Sequence, residues 1–468
     1  MEWFTAPDFA LSRLVLQRLL ALVYLVGFLA AARQFRALIG ARGLLPVPRY
    51  LRHRGWREAP SLFQWGYSDR RFAAVAWTGA ALAAAVLAGA ADAVPLGAAT
   101  ALWAVLWVLY LSIVNVGQTW YAFGWESLLL EAGFLAVFLG NAEVAPPVPV
   151  LLLVRWLLFR VEFGAGLIKL RGDACWRDLS CLRYHHETQP MPGPLSWYFH
   201  HLPMPLHRVE VAANHLAQLG LPVLLFAPQP IASVAAGAMV VTQLWLIASG
   251  NFAWLNWLTV ALAFGALRLP GSGRRATGAA PLWFEVLVLA CTALVLVLSY
   301  WPARNLLSRR QLMNYSFNRL HLVNTYGAFG SISRIRFEVV LEGTDEAAPT
   351  GATVWREYGF RGKPGALDRR PRQFAPYHLR LDWLMWFAAL SPGYARAWLR
   401  PLAERLLEGD RDTLRLLGHN PFPDAPPRWV RAVAYRYRFT SRAERRDTGN
   451  WWHRSGPRPY LAPVGRQD

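Results

Sequence analysis

The sequence predicts a multi-pass α-helical membrane protein of about nine transmembrane helices, with a small C-terminal α+β domain that contains an antiparallel sheet. Hydrophobic residues make up 54% of the 468-residue chain and charged residues only 17%, against roughly 25% in a typical soluble domain. Apolar segments stop near residue 300, and an alternation of apolar and polar residues begins after residue 330. We therefore expect a membrane domain over residues 1–301, including a polar loop at 169–208, and an extramembrane domain over 302–468.

Nine apolar segments approach the roughly 20 residues that a helix needs to cross a hydrocarbon core of about 30 Å. They cover residues 14–32, 72–91, 98–116, 128–139, 148–168, 211–227, 231–248, 252–269 and 282–300. The fourth segment is short and contains Glu131, so a re-entrant segment and a count of eight spans is the alternative. The first segment follows an acidic start and is longer than the apolar part of a signal peptide, so we expect an uncleaved helix.

Charged residues lie in the fifth apolar segment, where an ordinary anchor helix has none. Arg155, Arg160 and Glu162 lie inside it, and Lys169 follows its end. A charge at bilayer depth costs at least about 2.5 kcal/mol, so we expect these groups to face protein or water. Arg155, Glu162 and Lys169 are spaced seven residues apart and therefore share one helix face.

A second polar stripe leads into the next apolar segment. At helical spacing it contains His207, Glu210, Asn214 and Gln218. We predict that the two polar faces meet in an intramembrane network made of Arg155, Arg160, Glu162, Glu210, Asn214 and His215. Two interpretations stay open, namely ion pairs that hold the helices together and a catalytic site.

The polar loop between these segments concentrates residue types that carry chemistry or bind partners. Its candidate functional residues are Trp176, Arg177, Asp178, His185, His186, Glu187, His200 and His201. Six of the eleven histidines lie between residues 185 and 215, but no His-Glu-x-x-His or paired Cys-x-x-Cys spacing occurs. Adjacent histidines also point apart in regular structure, so the sequence predicts no metal site and no cofactor. Histidines and aromatic rings at headgroup depth are the simpler interpretation.

The cysteines indicate an oxidising environment for the loop. Cys175 and Cys181 flank five residues that include Trp176, a spacing that allows a disulfide if the loop leaves the cytoplasm. Cys291 lies in an apolar segment and is expected to be a small buried side chain. No Cys-x-x-Cys redox motif is present, so thiol-exchange catalysis is not expected.

In the tail, apolar and polar residues alternate as they do in β-strands. In residues 335–342, Ile335, Phe337, Val339 and Leu341 alternate with Arg336, Glu338 and Glu342, the pattern of a half-buried strand. Residues 354–361 and 432–439 repeat the pattern, and residues 379–390 and 394–408 read as helices. The order of strands, helices and strand predicts a small sheet domain on the membrane face.

The net charge of +20 does not indicate nucleic-acid binding. Arginine outnumbers lysine 47 to 2, which is typical of a coding bias, and residues 302–468 interleave 28 basic with 15 acidic residues. Attraction of juxtamembrane arginines to anionic lipid headgroups is the better explanation. The predicted partners are therefore membrane lipids.

Long stretches of the chain resemble the lipase maturation factor family over roughly residues 10–455. In order they are GAGLIKLRGDACWRDLSCLRYHHETQPMPGPLSWYFHHLP, HRVEVAANH, NRLHLVNTYGAFGSISRIRFEVVLEGT, YHLRLDWLMWFAAL and NPFP. The resemblance implies a multi-pass protein that, in eukaryotic relatives, resides in the endoplasmic reticulum membrane and helps secreted homodimeric lipases to fold and assemble. It also implies that the polar loop and the tail lie on the lumenal side. The arginine-rich composition indicates a bacterial member, in which that side is the periplasm or the exterior.

A fainter similarity links the segment FGAGLIKL, Trp176, Asn214 and His215 to the membrane domain of vitamin K-dependent γ-glutamyl carboxylase and its bacterial relatives. In that family a lysine near such a position acts as a base on a quinol, and only Lys169 matches well here. Lys169 is thus a candidate general base. The simpler interpretation is a lysine that reaches the membrane interface from a helix end.

The predicted topology contains one conflict. Nine spans with the start inside place the polar loop and the tail outside, as the resemblance implies. Residues 33–71 contain nine arginines, and the positive-inside rule alone would make this first loop cytoplasmic and reverse the orientation. We follow the resemblance and the cysteine pair, and expect the tail on the periplasmic or exterior side of a bacterial inner membrane.

Two functions of different class follow. The first is a membrane-embedded folding factor whose loop and tail present an aromatic, arginine-lined surface to secreted client proteins. The second is an integral-membrane enzyme that acts on a lipid or quinone-like substrate, with Lys169 as base. Polar faces that pair with each other favour the folding factor, whereas a hollow between them favours the enzyme.

Overall fold

The structure is a computed structural model that describes residues 3–270 and 279–466. The helices of the first part are α1 Ala10–Leu38, α2 Val47–Leu51, α3 Asp69–Ala88, α4 Ala90–Ala93, α5 Leu96–Val116, α6 Gly124–Ala136, α7 Val148–Arg171, α8 Ala174–Arg177, α9 Leu182–Thr188, α10 Ser196–His200, α11 Met204–His215, α12 Leu221–Leu224, α13 Ile231–Ser249, α14 Leu255–Ala263, α15 Leu282–Leu298 and α16 Tyr300–Leu307. Those of the second part are α17 Arg380–Leu390, α18 Leu399–Leu407, α19 Arg411–Leu414 and α20 Arg442–Thr448. Short 3₁₀ turns cover Pro7–Phe9, Leu62–Trp65, Gln118–Tyr121 and Pro392–Tyr394, and a π turn covers Leu216–Gly220.

Each of the nine predicted apolar segments is at least partly helical, but the prediction of about nine spans is not confirmed. Within the described ranges, five helices are long and apolar enough to cross a membrane. They are Pro7–Leu38, Asp69–Ala88, Leu96–Val116, Ile231–Ser249 and Leu282–Leu307. Helix α6 has 13 residues and α14 has nine, α7 contains the charges described above, and the π turn divides α11 from α12. These four elements contain polar groups or are too short to span alone.

Helix α1 lies at the centre of the helical part and packs against α3, α5, α6 and α14. Its aromatic side chains contact α5, where the Tyr110 ring lies 5.2 Å from that of Phe28 and 5.7 Å from that of Tyr24, edge to face in both cases. Such pairs contribute about 0.5–1.5 kcal/mol beyond the area that they bury. The apolar core of the helical part is therefore organised around α1.

The tail forms a four-stranded antiparallel sheet in the order β2-β1-β3-β4. Its strands are β1 Arg336–Thr344, β2 Arg356–Glu357, β3 Trp429–Phe439 and β4 Trp452–Gly465. In the central pair, Val339 lies opposite Ala434 and Leu341 opposite Ala432. Helix α17 packs on β1. The predicted small antiparallel sheet with helices is present.

Two strand predictions were wrong. The predicted strand at 354–361 is reduced to the two residues of β2, and β4 was not predicted at all. Strand β4 contains Pro457, Pro459 and Pro463, and it is mostly exposed. Proline cannot donate to a sheet ladder, so it argues against a strand by sequence but is tolerated in an edge strand such as this one.

The expectation of a half-buried β1 was also wrong, because both of its faces are buried. Arg336, Glu338 and Glu342 were assigned to the solvent side, yet each is at most 2% exposed. Glu338 accepts from Arg336 Nε at 2.7 Å and pairs with Lys363 Nζ at 2.9 Å, while Glu342 pairs with Arg431 at 2.7 Å. Pairing of this kind offsets the cost of burying these charges.

A fully buried ion pair joins the two parts of the chain. Arg380, at the start of α17, donates to Glu126, at the start of α6, at 2.6 Å, and to the Trp120 carbonyl at 2.7 Å. Its guanidinium also stacks on the Tyr121 ring, 3.5 Å from the centroid. The Tyr110 hydroxyl donates to the second oxygen of Glu126 at 2.5 Å. The sheet domain is therefore tied to the helical part by charge as well as by packing.

We expect His378 to make this junction sensitive to acid. Burial, with a smaller effect of the Arg380 charge, lowers the pKa of His378 from 6.5 to about 4, and Trp125 donates to its Nδ1 at 3.4 Å, which requires that nitrogen to be unprotonated. Between those pKa values the unfolded chain binds a proton that the folded chain does not. The contribution of neutral His378 to the free energy of unfolding is therefore complete above the pKa of the unfolded chain. It is lost as the pH falls towards the pKa of His378 in the folded protein.

A fall from pH 7 to pH 5 should lower the free energy of unfolding by about 2 kcal/mol through this histidine. Unfolding in detergent across this range, compared between the wild type and His378→Gln, isolates the contribution. An identical pH dependence of the two proteins would contradict the assignment.

Candidate functional site

The charges of α7 divide into separate clusters rather than one network. Arg160 forms a buried bidentate pair with Glu131 of α6. Glu131 Oε2 also accepts from the Asn324 backbone N–H and side-chain amide, each at 2.9 Å, and from the Tyr326 hydroxyl at 2.8 Å. Arg160 returns a hydrogen bond to the Asn324 carbonyl at 2.6 Å. The segment after α16 is thus held inside the helical part by a buried ion pair and the hydrogen bonds around it.

Lys169 and Glu162 belong to a second cluster, in which Gln218 bridges them. Lys169 Nζ donates to Gln218 Oε1 at 2.7 Å, and Gln218 Nε2 donates to Glu162 at 3.2 Å. Asn214 also donates to Gln218 Oε1, at 3.2 Å, and Gln243 of α13 donates to Glu162 at 2.5 Å. The polar faces of α7 and α11 do meet, but through an amide and not through direct ion pairs.

The π turn explains how Gln218 reaches this position. A single π turn inserts one residue into a helix and redirects the side chains that follow, and such turns are frequent at functional positions. Gly166 of α7 permits the close approach, since a Cβ at this position would lie 2.9 Å from both the Cβ of Gln218 and the side chain of Leu219. Gly164 likewise permits the close approach of the Tyr326 carbonyl, because a Cβ at this position would clash with the carbonyl oxygen. The GAG sequence is therefore a packing requirement.

The contacts of Lys169 stabilise its charged ammonium group. Besides Gln218, Lys169 Nζ lies 4.9 Å from the centre of the Trp176 ring, and the residue is buried. A cation over an aromatic face and a hydrogen bond to an amide oxygen both stabilise the charged lysine. The pairing of the two polar faces favours the folding factor over the enzyme.

Arg155 stands apart from the other charges. Its Nε donates to the Gly265 carbonyl at 2.9 Å and its Nη1 to the Leu225 carbonyl at 3.3 Å. Leu225 directly follows the last residue of α12, and Gly265 lies two residues after the last residue of α14. A cation near helix C-termini is stabilised by the helix dipoles, so Arg155 needs no acidic partner.

The start of the polar loop is a compact structural unit. Cys175 and Cys181 form a disulfide, Trp176 donates to the Phe329 carbonyl at 2.8 Å, and His215 lies 2.9 Å from the Trp176 carbonyl. Arg177 donates to the Leu170 carbonyl at 2.8 Å, and Asp178 accepts from the Ser180 N–H at 3.0 Å. These residues close the C-terminal end of α7, so their positions are explained by local structure.

The middle of the loop attaches to the sheet. Arg336 of β1 donates to the Glu187 carbonyl at 3.0 Å and to the Pro190 carbonyl at 3.1 Å, and the Glu187 carboxylate accepts from the Phe439 N–H at 2.8 Å. Trp197 of α10 donates to the Thr440 carbonyl at 2.9 Å. The loop is therefore the platform on which the sheet domain rests.

The remaining loop histidines have packing or local roles. His185 lies edge to face with Phe329, with ring centres 4.8 Å apart. His200 approaches Glu187 at 3.7 Å, and His201 Nδ1 lies 2.7 Å from the Trp197 carbonyl. Burial lowers the pKa of His200 to about 3. His200 is therefore neutral under physiological conditions.

A surface groove of about 510 Å³ opens where the loop meets the sheet domain. It is lined by Trp197, Arg442, Arg445, Arg446 and Gly449. The guanidinium carbon of Arg445 lies 3.4 Å from the Trp451 ring centre and 5.0 Å from that of Trp197. We call this surface the arginine–tryptophan groove.

The arginine–tryptophan groove is bordered by further arginine and aromatic side chains. The guanidinium carbon of Arg370 lies 5.2 Å from the Trp451 ring centre and 5.9 Å from that of Tyr198, which is exposed. Glu444 pairs with Arg438, which holds the pKa of that carboxyl well below its ordinary value. The groove is therefore cationic and aromatic.

A third cluster joins the loop to α11. His186 Nε2 lies 3.3 Å from Glu210, and His207 Nδ1 lies 3.9 Å from the same oxygen. Trp245 of α13 donates to the other oxygen of Glu210 at 2.6 Å. Glu210, predicted to face the charges of α7, instead faces these two histidines.

Sequence reasoning missed several of these residues. Glu131, Asn324, Gln243, Arg336 and Arg380 all make buried polar contacts but were not among the candidates. Among these residues, only Glu131 had a sequence signal for a buried polar contact. It is an acid inside an apolar segment, and the next apolar segment contains arginines. Asn324 gave no such signal, because its partner Glu131 lies 193 residues away in the chain.

Comparisons with known proteins agree with this architecture. Residues 11–269 match the lipase maturation factor transmembrane domain, and residues 322–462 match the lipase maturation factor C-terminal domain. Lipase maturation factor 1 of Bos taurus is 43% identical, covering 99% of this chain and 90% of the bovine protein. Lipase maturation factor 1 of Homo sapiens is 41% identical, covering 98% of this chain and 89% of the human protein.

A second group of relatives is more distant. Lipase maturation factor 2 of Homo sapiens is 29% identical, covering 96% of this chain and 82% of that protein. No solved structure matches the chain significantly. Because both domains match in order and identity exceeds 40% over almost the whole length, the chain belongs to the lipase maturation factor family.

Proposed function

We propose that this protein is a membrane-embedded maturation factor that assists the folding and assembly of secreted, lipase-like client proteins. The similarity to lipase maturation factor 1 along nearly the entire chain supports this role. Buried ion pairs also brace the helical part and join it to the sheet domain, and Arg336 and Trp197 connect the polar loop to the sheet domain. A rigid scaffold that presents a surface is what a folding factor requires.

The client-binding surface in this proposal is the arginine–tryptophan groove. Tryptophan, tyrosine and arginine supply most of the energy at protein interfaces, and the groove combines all three. Its exposed arginines Arg442 and Arg446 attract acidic segments of a client that has not yet folded. The exposed Tyr198 ring at the border of the groove supplies apolar contact area, whereas Trp197 and Trp451 are buried and hold Arg445 in place by stacking.

In this proposal the groove lies on the lumenal side in a eukaryotic cell and on the periplasmic or exterior side in a bacterium. The Cys175–Cys181 disulfide supports this orientation, because such bonds persist in oxidising compartments. Secreted clients fold on that side of the membrane. The proposal also retains the bacterial source that the arginine-rich composition indicates.

The experiment expresses this chain in mammalian cells that lack lipase maturation factor 1, together with a secreted homodimeric lipase. We expect the wild type to restore secreted lipase activity. Arg442→Glu/Arg446→Glu should lower the restored activity about tenfold at equal protein level, because the groove then repels acidic segments.

The matched control is Arg400→Glu/Arg411→Glu, which reverses two exposed arginines elsewhere in the sheet domain. It should leave the restored activity unchanged. No rescue by the wild type would refute the function, whereas rescue with equal activity of both double variants would refute the groove as the client site.

A further inference from the structure

Three side chains from two elements converge on one point beside the loop. His186 belongs to α9, and His207 and Glu210 lie three residues apart on one face of α11. One ligand atom from each residue lies within 4.8 Å of the other two. Glu210 Oε2 faces both imidazoles, at 3.3 Å from His186 Nε2 and 3.9 Å from His207 Nδ1.

The cluster is buried and incompletely satisfied. Both histidines are 2% exposed. Within residues 3–270 and 279–466, Nδ1 of His207 has no hydrogen-bond partner although it faces the carboxylate. A buried polar atom without a partner costs about 1–3 kcal/mol, so such atoms call for an explanation.

Trp245 orients the carboxylate for this arrangement. Its indole N–H donates to Glu210 Oε1 at 2.6 Å, which leaves Oε2 directed at the two histidines. A hydrogen bond to the non-ligating atom is the support that metal ligands commonly receive from neighbouring side chains. The His186 ring is fixed in turn by stacking on Phe199, with ring centres 5.4 Å apart.

We propose that His186, His207 and Glu210 form a binding site for a divalent transition-metal cation, with zinc as the best chemical match. Two imidazoles and one carboxylate are a ligand set that zinc uses in proteins, and imidazole selects zinc over magnesium or calcium. Sequence analysis predicted no metal site because no metal-ligand spacing occurs in the loop and adjacent histidines point apart, and His186 lies on a different helix from the other two ligands. The fold brings them together.

The distances suit a small cation after a modest contraction. Ligands of tetrahedral zinc stand about 3.3 Å apart, given metal–nitrogen bonds of about 2.0–2.1 Å. The His186–Glu210 separation of 3.3 Å already fits, and the His207–Glu210 separation of 3.9 Å requires a small side-chain shift. The ligand nitrogens of the two imidazoles, which lie within 4.8 Å of each other, must also come closer. Three protein ligands leave a fourth position for water or a client group.

Zinc bound by these three residues would crosslink α9 of the polar loop to α11 of the helical part. The same loop supports the sheet domain through Arg336 and Trp197. Metal binding would therefore stabilise the platform beneath the arginine–tryptophan groove. This consequence concerns stability and does not depend on the identity of the client.

The test uses the full chain purified in detergent with a tag that contains no histidine, stripped with a chelator and titrated with zinc by calorimetry. We expect one zinc ion per chain and a higher unfolding temperature with zinc. Glu210→Gln and His207→Ala should each weaken zinc binding by at least about tenfold, the effect that loss of even a supporting residue has at metal sites.

His53→Ala, which removes an exposed histidine, is the control and should bind zinc as the wild type does. Glu210→Gln keeps the size of the side chain, so its fold can be verified by its unfolding temperature without metal. Failure of the folded wild type to bind zinc would overturn the proposal. Equal affinity of the wild type and both ligand variants would overturn it too, since the zinc would then be bound elsewhere.

Discussion

Arg160→Met is expected to destabilise the helical part by about 3–5 kcal/mol, because it leaves the Glu131 carboxylate buried without its countercharge. Arg160 and Glu131 are at most 3% exposed. The variant also removes the donor to the Asn324 carbonyl. Unfolding in mixed detergent micelles measures the loss.

The double variant Arg160→Met/Glu131→Gln provides the control for this experiment. It removes both charges while an amide keeps an acceptor for Asn324 and Tyr326, so it should recover a large part of the stability. Equal losses in the single and double variants would show that volume, and not the uncompensated charge, determines the cost. A loss below about 1 kcal/mol in the single variant would show that the pair is unimportant.

Arg380→Met is expected to cost about 3–5 kcal/mol as well, and to loosen the sheet domain from the helical part. Arg380 and Glu126 are both fully buried, and Glu126 would keep only the Tyr110 hydroxyl and the neutral His378 nearby. Limited proteolysis should therefore cut the variant between residues 331 and 335, the partly exposed stretch before β1, faster than the wild type, and the unfolding temperature should fall.

Arg400→Met serves as the matched control, since it removes an exposed arginine from the same domain and should change stability by no more than about 0.5 kcal/mol. Unchanged proteolysis and stability of Arg380→Met would mean that packing alone holds the two parts together. A cut rate that rises equally in both variants would indicate a general effect of losing an arginine.

The apolar segments could be predicted from sequence because hydropathy and period are local properties. Helices α1, α3, α5, α13 and α15 end within a few residues of the predicted bounds at most of their termini, except that α1 extends further at both ends. The number of spans could not be predicted in the same way. Whether α7, α11 and α14 cross alone depends on the neighbours that surround their polar groups, and hydropathy does not record neighbours.

The candidate site was predictable as composition but not as geometry. Glu162 and Lys169 share a face by their spacing, yet their link through Gln218 depends on a π turn that no local signal marks. Glu131 meets Asn324 across 193 residues. His186 meets His207 only because the loop folds back over α11.

The strands show the same limit. The alternation in β1 correctly predicted a strand, but it gave the wrong burial, because Lys363 and the polar loop cover its charged face. Strand β4 was not predicted, because its prolines argue against a strand. Position in the sheet, edge or centre, decided both outcomes, and that position is set by tertiary structure.

Site-specific photocrosslinking from the arginine–tryptophan groove tests the central claim most directly. A photoreactive amino acid at position Arg446 is compared with one at Arg400 in cells that secrete a homodimeric lipase. The account predicts adducts with the newly made lipase from Arg446 and few or none from Arg400. Absence of adducts from Arg446, or equal yields from both positions, would contradict it.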